Sequence, residues 1–387
     1  MRIAGIIAEY NPFHRGHAWH VQKTCEATGC DFVVACVAGH FTQRGEPALW
    51  SKWDRAKMAL ASGVDAVFEL PALFAVRTAD AFARGGVAIL GGLGCDALSF
   101  GSEAETDLIR AMADLRRDEP AALSAAIRGK LDAGMSHARA RGEAVAEALG
   151  VACEDVNRPN AILAAEYLRA IRELGFDMQP LAVRRTGDYH GEALTGLASA
   201  TAVREAIRRG DIDAALAALP ESARPFAQPD ALHAMDDMLL YALRGMSVEA
   251  LAALPDASEG LEHRLYDACR EADGREALLD ALKCKRYTRA RLSRLLTHAL
   301  LGVDRALIAD HPAPTCARLI GVREGTEPLL AELKARSRLP IVARASELRG
   351  DPVFDLECRA TDAWSLLHDD PALRRWGREL REKFVRV

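Results

Sequence analysis

The chain has 387 residues, half of them hydrophobic and 27% charged, with a formal net charge of −5. That length accommodates two or three domains of roughly 150 residues each. The acidic balance excludes a generally basic nucleic-acid binder, so any such contact has to come from a local basic patch. Nine cysteines without a C-x-x-C pair exclude the common thiolate metal sites and fit reduced thiols. With no signal peptide and no apolar run near the ~20 residues of a membrane span, the expectation is a cytoplasmic protein without membrane contact.

The first predicted element is a buried strand, Ile3 to Ala8, closed by Glu9, Tyr10, Asn11 and Pro12. Pro12 has no amide donor and a fixed φ, so the chain turns there. His14, Gly16 and His17 follow in the order H-x-G-H. A helix is expected from near His17 towards Ala27, with Trp19, Val21 and Cys25 on its apolar side. Helix N-termini favour anions, phosphates above all. A glycine lets a flat base or a phosphate approach the backbone, and imidazoles beside a triphosphate stabilise oxygens that gain charge as pyrophosphate leaves. Two histidines three residues apart also describe a plain surface or a packed helix start. The position directly after a first strand is what favours the functional reading.

Further strands are expected at Asp31 to Val37, Val64 to Leu70 and Cys95 to Phe100. Helices at Ser51 to Ser62, with Ser51 near the cap, and at Ala79 to Leu90 alternate with them. Strands that are apolar throughout and alternate with helices define an α/β fold, a Rossmann-like parallel sheet covered on both faces. Ligands bind such sheets at the carboxyl ends of strands, where the H-x-G-H turn lies and where Gly101, Ser102 and Glu103 follow the fourth strand. Residues 105 to about 150 read as a solvated helical insertion broken near Pro120 and Gly134. A loop through Asn160 precedes a helix at Ala161 to Leu174. A fifth strand, Met178 to Arg184, then leads to Arg185 on a loop at the same edge.

Next comes S-x-T-x-x-R. Ser199 or Thr201 caps a helix running to Ile207, which is an ordinary cap or, with Arg204, a hydroxyl-rich helix start able to hold phosphates. This α/β unit is expected to span residues 1–210. Residues 211–310 look mostly helical, and residues 311–387 form a small mixed cap. Within the helical part, Lys283 to Arg294 carries Lys285, Arg286, Arg289 and Arg291 around Tyr287 and no acid, while Leu292, Leu295, Leu296 and Ala299 make a core-facing stripe. A solvated basic helix is one reading, and a surface for RNA phosphates and a stacked base is the other.

H-x-G-H after a first strand resembles the HIGH signature of nucleotidyltransferases and class I aminoacyl-tRNA synthetases. S-x-T-x-x-R resembles their second signature, S-S-T-x-x-R, with Ala200 at the second hydroxyl. Longer strings are more specific: GIIAEYNPFHRGH, HFTQRGEPALWSKWDRAKMAL, GVDAVFELP, FGSE, RPNAILAAEYL, SATAVREAI and KRYTRARLSRLL. In this order, over nearly the whole chain, they resemble the bacterial tRNA(Met) cytidine acetate ligases.

The resemblance implies a HIGH-type nucleotidyltransferase core followed by a mostly helical C-terminal region. It implies an enzyme that uses ATP to activate acetate as acetyl-adenylate and acetylates the exocyclic amine of the wobble cytidine in elongator tRNA(Met). ATP would be held by Ile7, Ala8, Glu9, Tyr10, Asn11, Pro12, Phe13, His14, Arg15, Gly16, His17, Ala18, Trp19 and His20. Gly101, Asn160 and Arg185 would add contacts, with Ser199, Thr201 and Arg204 of the second signature. His14 and His17 would stabilise the phosphates, and Lys52 or Arg185 would neutralise the departing pyrophosphate. Lys285, Arg286, Tyr287, Arg289 and Arg291 would meet the tRNA. ATP enters as a substrate, no residue fixes whether Mg2+ accompanies it, and no protein partner is implied.

The chain departs from the family pattern at Arg15, where a small polar residue is more usual, and at His40, where asparagine is. Two other functions use similar signatures. Nucleotidyl transfer to a small phosphorylated cofactor precursor would not need the long C-terminal half or the basic segment. A non-catalytic, ATP-regulated RNA-binding protein would not need His14, Gly16, His17 and Thr201 intact.

Overall fold

A computed structural model describes residues 1–184, 199–228, 232–258 and 260–387. Its strands are β1 (Ile3–Ala8), β2 (Phe32–Ala38), β3 (Ala66–Leu70), β4 (Ala97–Ser102), β5 (Gln179–Arg184), β6 (Ala317–Val322), β7 (Ile341–Val342) and β8 (Val385–Arg386). They form one sheet in the order β5-β4-β1-β2-β3-β6-β7, with β8 beside β6. The first five run parallel, and β6 joins β3 antiparallel. From β1 the chain builds outward through β2 to β3, then crosses back to lay β4 on the other side of β1. The strand order therefore reverses between β1 and β4, and a crevice opens at the carboxyl ends there.

The strands are apolar throughout because both faces are covered. Side chains alternate between faces along a strand. Ile3 and Ile7 of β1 with Val34 and Cys36 of β2 enter one core, while Ile6, Val33 and Ala35 enter the other.

The helices of the α/β unit are α1 (Arg15–Thr28), α2 (Lys52–Ala61), α3 (Ala72–Ala75), α4 (Ala79–Gly92), α5 (Thr106–Arg117), α6 (Ala121–Asp132), α7 (His137–Leu149), α8 (Cys153–Asn157) and α9 (Pro159–Glu173). Then follow α10 (Ala200–Arg208), α11 (Ile212–Ala217), α12 (Asp236–Arg244), α13 (Val248–Ala252), α14 (Leu261–Glu271), α15 (Arg275–Leu282), α16 (Arg289–Leu301) and α17 (Arg305–Asp310). The tail adds α18 (Glu327–Arg336), α19 (Pro352–Ser365) and α20 (Arg378–Arg381). Among the described residues no helix is long and apolar enough to cross a membrane.

Four boundaries differ from the sequence expectation, each for a local reason. Helix α1 begins at Arg15 because His14 caps it. Pro159, whose fixed φ suits a first helical position, opens α9, so Asn160 sits in a first turn and not on a loop. Helix α16 starts only at Arg289 behind a Thr288 cap. The basic residues before it lie on a turn closed by a bridge between Cys284 and Tyr287. The sequence places a tail helix from Thr361, but Asp351 caps α19 and starts it at Pro352. The tail expected as a cap lengthens the main sheet instead. β6 is buried along its whole length against β3, which covers an edge that would otherwise be open.

Candidate active site

The crevice between β1 and β4 holds a cleft of about 280 Å³. Its floor comes from the turn after β1. Tyr10 adopts φ +48° there, an uncommon conformation for a bulky residue, and the Asn11–Pro12 bond is cis. Phe13, fully buried, packs edge-on to Tyr10 with ring centroids 4.8 Å apart. The turn is tied down from α2, where the buried Arg55 donates to Glu9 O at 2.5 Å and to Ala38 O at 2.9 Å, so one guanidinium joins the carboxyl ends of β1 and β2. Asn11 Oδ1 accepts from Leu49 N at 2.7 Å.

The two histidines cap α1 reciprocally. His14 Nδ1 accepts from Gly16 N at 3.0 Å, and His17 Nδ1 accepts from His14 N at 3.2 Å. Imidazoles thus fill the roles that serine and glutamate play in a capping box. Because each Nδ1 accepts an amide hydrogen, a neutral ring carries its proton on Nε2. His17 lines the cleft. His14 does not; only 2% exposed, it stacks on His17 with centroids 3.8 Å apart and sets that ring's position.

Of the residues expected around ATP, Ile7, Ala8, Glu9, Tyr10, Asn11, Gly16, His17, Trp19, His20, Gly101, Asn160 and Arg204 line this one cleft. Asn160 donates to Glu103 at 2.7 Å, and His20 Nε2 meets Ser99 Oγ at 2.9 Å. Arg204 spans from α10 back to the first turn, donating to Asn11 O at 2.6 Å and to Thr201 Oγ1 at 3.1 Å. Ser199 is the α10 cap, accepting from Ala202 N at 3.2 Å. Ser199 and Thr201 are exposed, and Ala200 between them lines the cleft.

Others lie elsewhere. Pro12 and Phe13 are buried behind the floor. Arg15 and Ala18 face a hollow on the outer side of α1, where Arg15 N donates to Ala218 O at 3.0 Å and Arg15 Nε to Leu219 O at 3.4 Å. The unusual arginine is therefore off the cleft. Arg185 falls outside the described residues.

Lys52 is not in the cleft. Its side chain is fully buried and ion-paired with Glu69, with Glu379 at 2.9 Å and with Glu357 at 3.6 Å, so no cation reaches the phosphate site from this position. Arg318 of β6 pairs with Glu69 at 2.7 Å and also with Glu379. Burial and the adjacent Glu69 carboxylate push Glu357 well above the usual carboxyl range. His40, the other departure, belongs to this cluster. It is fully buried, with Nδ1 3.0 Å from Thr361 Oγ1 and its ring between Trp53 and Trp364, and burial holds it well below the usual imidazole range.

The cleft has residues that the sequence did not single out. Gln43 and Arg44 enter it from the loop after β2, and Phe82, Phe100 and Tyr167 supply aromatic walls. The rule that ligands meet strand carboxyl ends applied to the loop after β2 as much as to that after β1. Glu9 accepts from Gln43 N at 2.7 Å. Burial raises its carboxyl above the usual range, against the opposing effect of that amide and of Arg44, Arg204 and Arg55.

The expected basic surface is only partly open. Tyr287 is buried, with its hydroxyl donating to Ser258 O at 3.1 Å, so it packs and does not stack on a base. Arg291 lies 4.7 Å over that ring and donates to Asp256 O at 3.0 Å. Arg289 is exposed but paired with Glu276. Lys285 and Arg286 are exposed on the turn. Among the described residues no group of three or more His, Cys, Asp or Glu is arranged to hold a metal ion.

A parallel sheet that reverses at its first strand, with an H-x-G-H helix start facing a second capped helix across the cleft, defines a HIGH-type nucleotidyltransferase. The family model described as HIGH Nucleotidyl Transferase matches residues 1–378. The tRNA(Met) cytidine acetate ligase of Bacillus subtilis (strain 168) is 37% identical over 392 residues, covering 96% of this chain and 94% of that protein. That of Thermoanaerobacter sp. (strain X514) is 34% identical over 391 residues, covering 96% and 97%. The crystal structure of Thermotoga maritima TmcAL bound with alpha-thio ATP superposes with a TM-score of 0.91 at 28% identity, covering 100% of this chain and 99% of that one. The chain belongs to the tRNA(Met) cytidine acetate ligase family.

Proposed function

We propose that this protein is an ATP-dependent ligase that activates acetate as acetyl-adenylate and acetylates the exocyclic amine of the wobble cytidine of elongator tRNA(Met). The observation that carries the reading is the cleft itself, where both nucleotidyltransferase signatures converge in a chain that matches ligases of that name along almost its entire length. The cleft is also chemically divided. One end, at β4 and α9, has Phe100 and Tyr167, with centroids 5.6 Å apart, beside Gly101 and Asn160. That end suits a flat base, which gains from aromatic walls and from close approach to a glycine backbone. The other end has the α1 and α10 N-termini with His17 and Arg204, which suit phosphates. The buried Tyr10 hydroxyl has no hydrogen-bond partner among the described residues, which leaves a donor for the ligand.

The chemistry follows from these positions. Acetate is a poor acyl donor because its leaving group would be oxide. Attack of its carboxylate on the α-phosphorus forms a mixed anhydride and expels pyrophosphate. His17, held by His14, donates through Nε2 to oxygens whose charge grows in that step. The cytidine amine then attacks the acetyl carbon and AMP leaves. An aromatic amine is a weak nucleophile, so holding it in line supplies much of the rate. The RNA is proposed to bind along the turn of Lys285 and Arg286, with Arg289 beside it. Incubating the protein with ATP, acetate and tRNA(Met), followed by nuclease digestion and mass spectrometry, should give acetylcytidine together with AMP and pyrophosphate. ADP and phosphate as products, or unmodified tRNA, would overturn the reading.

A further inference from the structure

With Lys52 occupied in the core and Arg185 outside the described residues, the described cation best placed for the departing pyrophosphate is on the loop after β2. Arg44 lines the cleft from an exposed position, and its guanidinium makes no hydrogen bond or ion pair among the described residues. Its backbone, by contrast, is held on both sides. Gln43 N donates to Glu9 at 2.7 Å, and Thr42 N to Glu46 O at 2.9 Å. Ser293 Oγ of α16 donates to Arg44 O at 2.5 Å, and Thr297 Oγ1 donates to Gly45 O at 2.8 Å. Gly45 makes this latch possible. Its φ is +69°, and a Cβ there would lie 2.7 Å from backbone atoms of Ser293 and Arg294. A flexible cationic side chain therefore stands on a fixed base.

Placement in the sheet says which part of a nucleotide Arg44 meets. The aromatic end of the cleft belongs to β4 and α9, while Arg44 follows β2, on the far side of β1. It shares that side with Arg204, and the two guanidiniums are close enough to repel each other while both act on Glu9. Glu46 also acts on Arg204, so it is the uncommitted guanidinium, more than net charge, that suits this end to an anion. Arg204 is committed to Asn11 O and Thr201, so Arg44 is the partner able to follow a group that moves.

We propose that Arg44 is a catalytic residue of the adenylation step, binding the β- and γ-phosphates of ATP and neutralising pyrophosphate as it leaves. This rests on the reading of the cleft as an acetate-adenylating site. The bond from an acetate oxygen to the α-phosphorus forms, and the α-phosphorus to bridging-oxygen bond breaks. Its electron pair stays on pyrophosphate, whose added charge Arg44 meets, and no proton is transferred.

The test follows acetyl-adenylate formation and pyrophosphate inhibition, without RNA, in wild type, Arg44→Ala and Arg44→Lys. The alanine variant should fold normally, since the side chain is exposed, and should form adenylate roughly 10²-fold more slowly. It should resist inhibition by added pyrophosphate and keep the wild-type KM for acetate, and lysine should restore part of both properties. An unchanged adenylation rate in Arg44→Ala, or a defect confined to the acetate KM, would overturn the role of Arg44 while leaving the adenylating site in place. A wild-type protein that makes no acetyl-adenylate would overturn both.

Discussion

Lys52 shows how far one residue's role depends on its neighbours. In the sequence it is a lysine at the start of an amphipathic helix close to a nucleotide-binding turn. In the fold it is a fully buried cation among Glu69, Glu357 and Glu379, joining α2 and β3 to the tail through α19 and α20. Removing one partner from such a group leaves a buried charge uncompensated, so Lys52→Met should lower unfolding stability by about 3–5 kcal/mol at neutral pH. Burial raises the Glu69 carboxyl, but Lys52 and Arg318 overcome this and hold it below its ordinary value. A depressed carboxyl contributes stability above its unfolded pKa, and that contribution is lost as pH falls. In the variant the carboxyl rises instead and takes up a proton. The deficit should therefore be largest near pH 7 and narrow as pH falls from about 4 towards the folded value of about 2. Urea melts of both proteins across that range would read it, and a gap that does not depend on pH would contradict the charge balance.

At the scale of elements, the segment before and into α16 divides its cations between structure and surface. Arg291 over Tyr287, and Arg275 to Gly45 and Ser293, fasten the helix to its surroundings. Lys285 and Arg286 stand on the preceding turn. Replacing this exposed pair by alanine should weaken tRNA binding and flatten its dependence on log salt by about two units, near one for each phosphate no longer neutralised. Acetyl-adenylate formation without RNA should be unaffected. Filter binding over a salt series, run beside the adenylation assay, would show this, and an unchanged slope would move the RNA surface elsewhere.

The same segment shows where sequence reading reaches its limit. The run of basic residues and the leucine stripe were legible, because composition and helical period are local properties. The burial of Tyr287 was not, because it depends on Ser258, far away in the chain. Legibility elsewhere follows the same division. The first five strands lie close to where their apolar runs place them, and the H-x-G-H and S-x-T-x-x-R starts meet across one cleft. Arg44 went unassigned because its importance comes from the β4–β1–β2 order, which no single stretch encodes. The antiparallel pairing of β6 with β3 joins residues about 250 positions apart on the strength of edge coverage and the Arg318–Glu69 pair, both non-local.

For the whole molecule, an α/β cleft divided into a base end and a phosphate end is built into a chain whose helical part carries Lys285 and Arg286 on an exposed turn. The latch between Gly45 and α16 links the two, so activation of acetate and capture of RNA rest on one connected frame. Acetylation of the tRNA depends on an acetate oxygen attacking the α-phosphorus. Acetate labelled with 18O in both oxygens tests this most directly, by mass spectrometry of the AMP formed during tRNA acetylation. The expected result is one 18O atom in each AMP, carried over when the cytidine amine takes the acetyl group. AMP without label, or label appearing in inorganic phosphate, would contradict it.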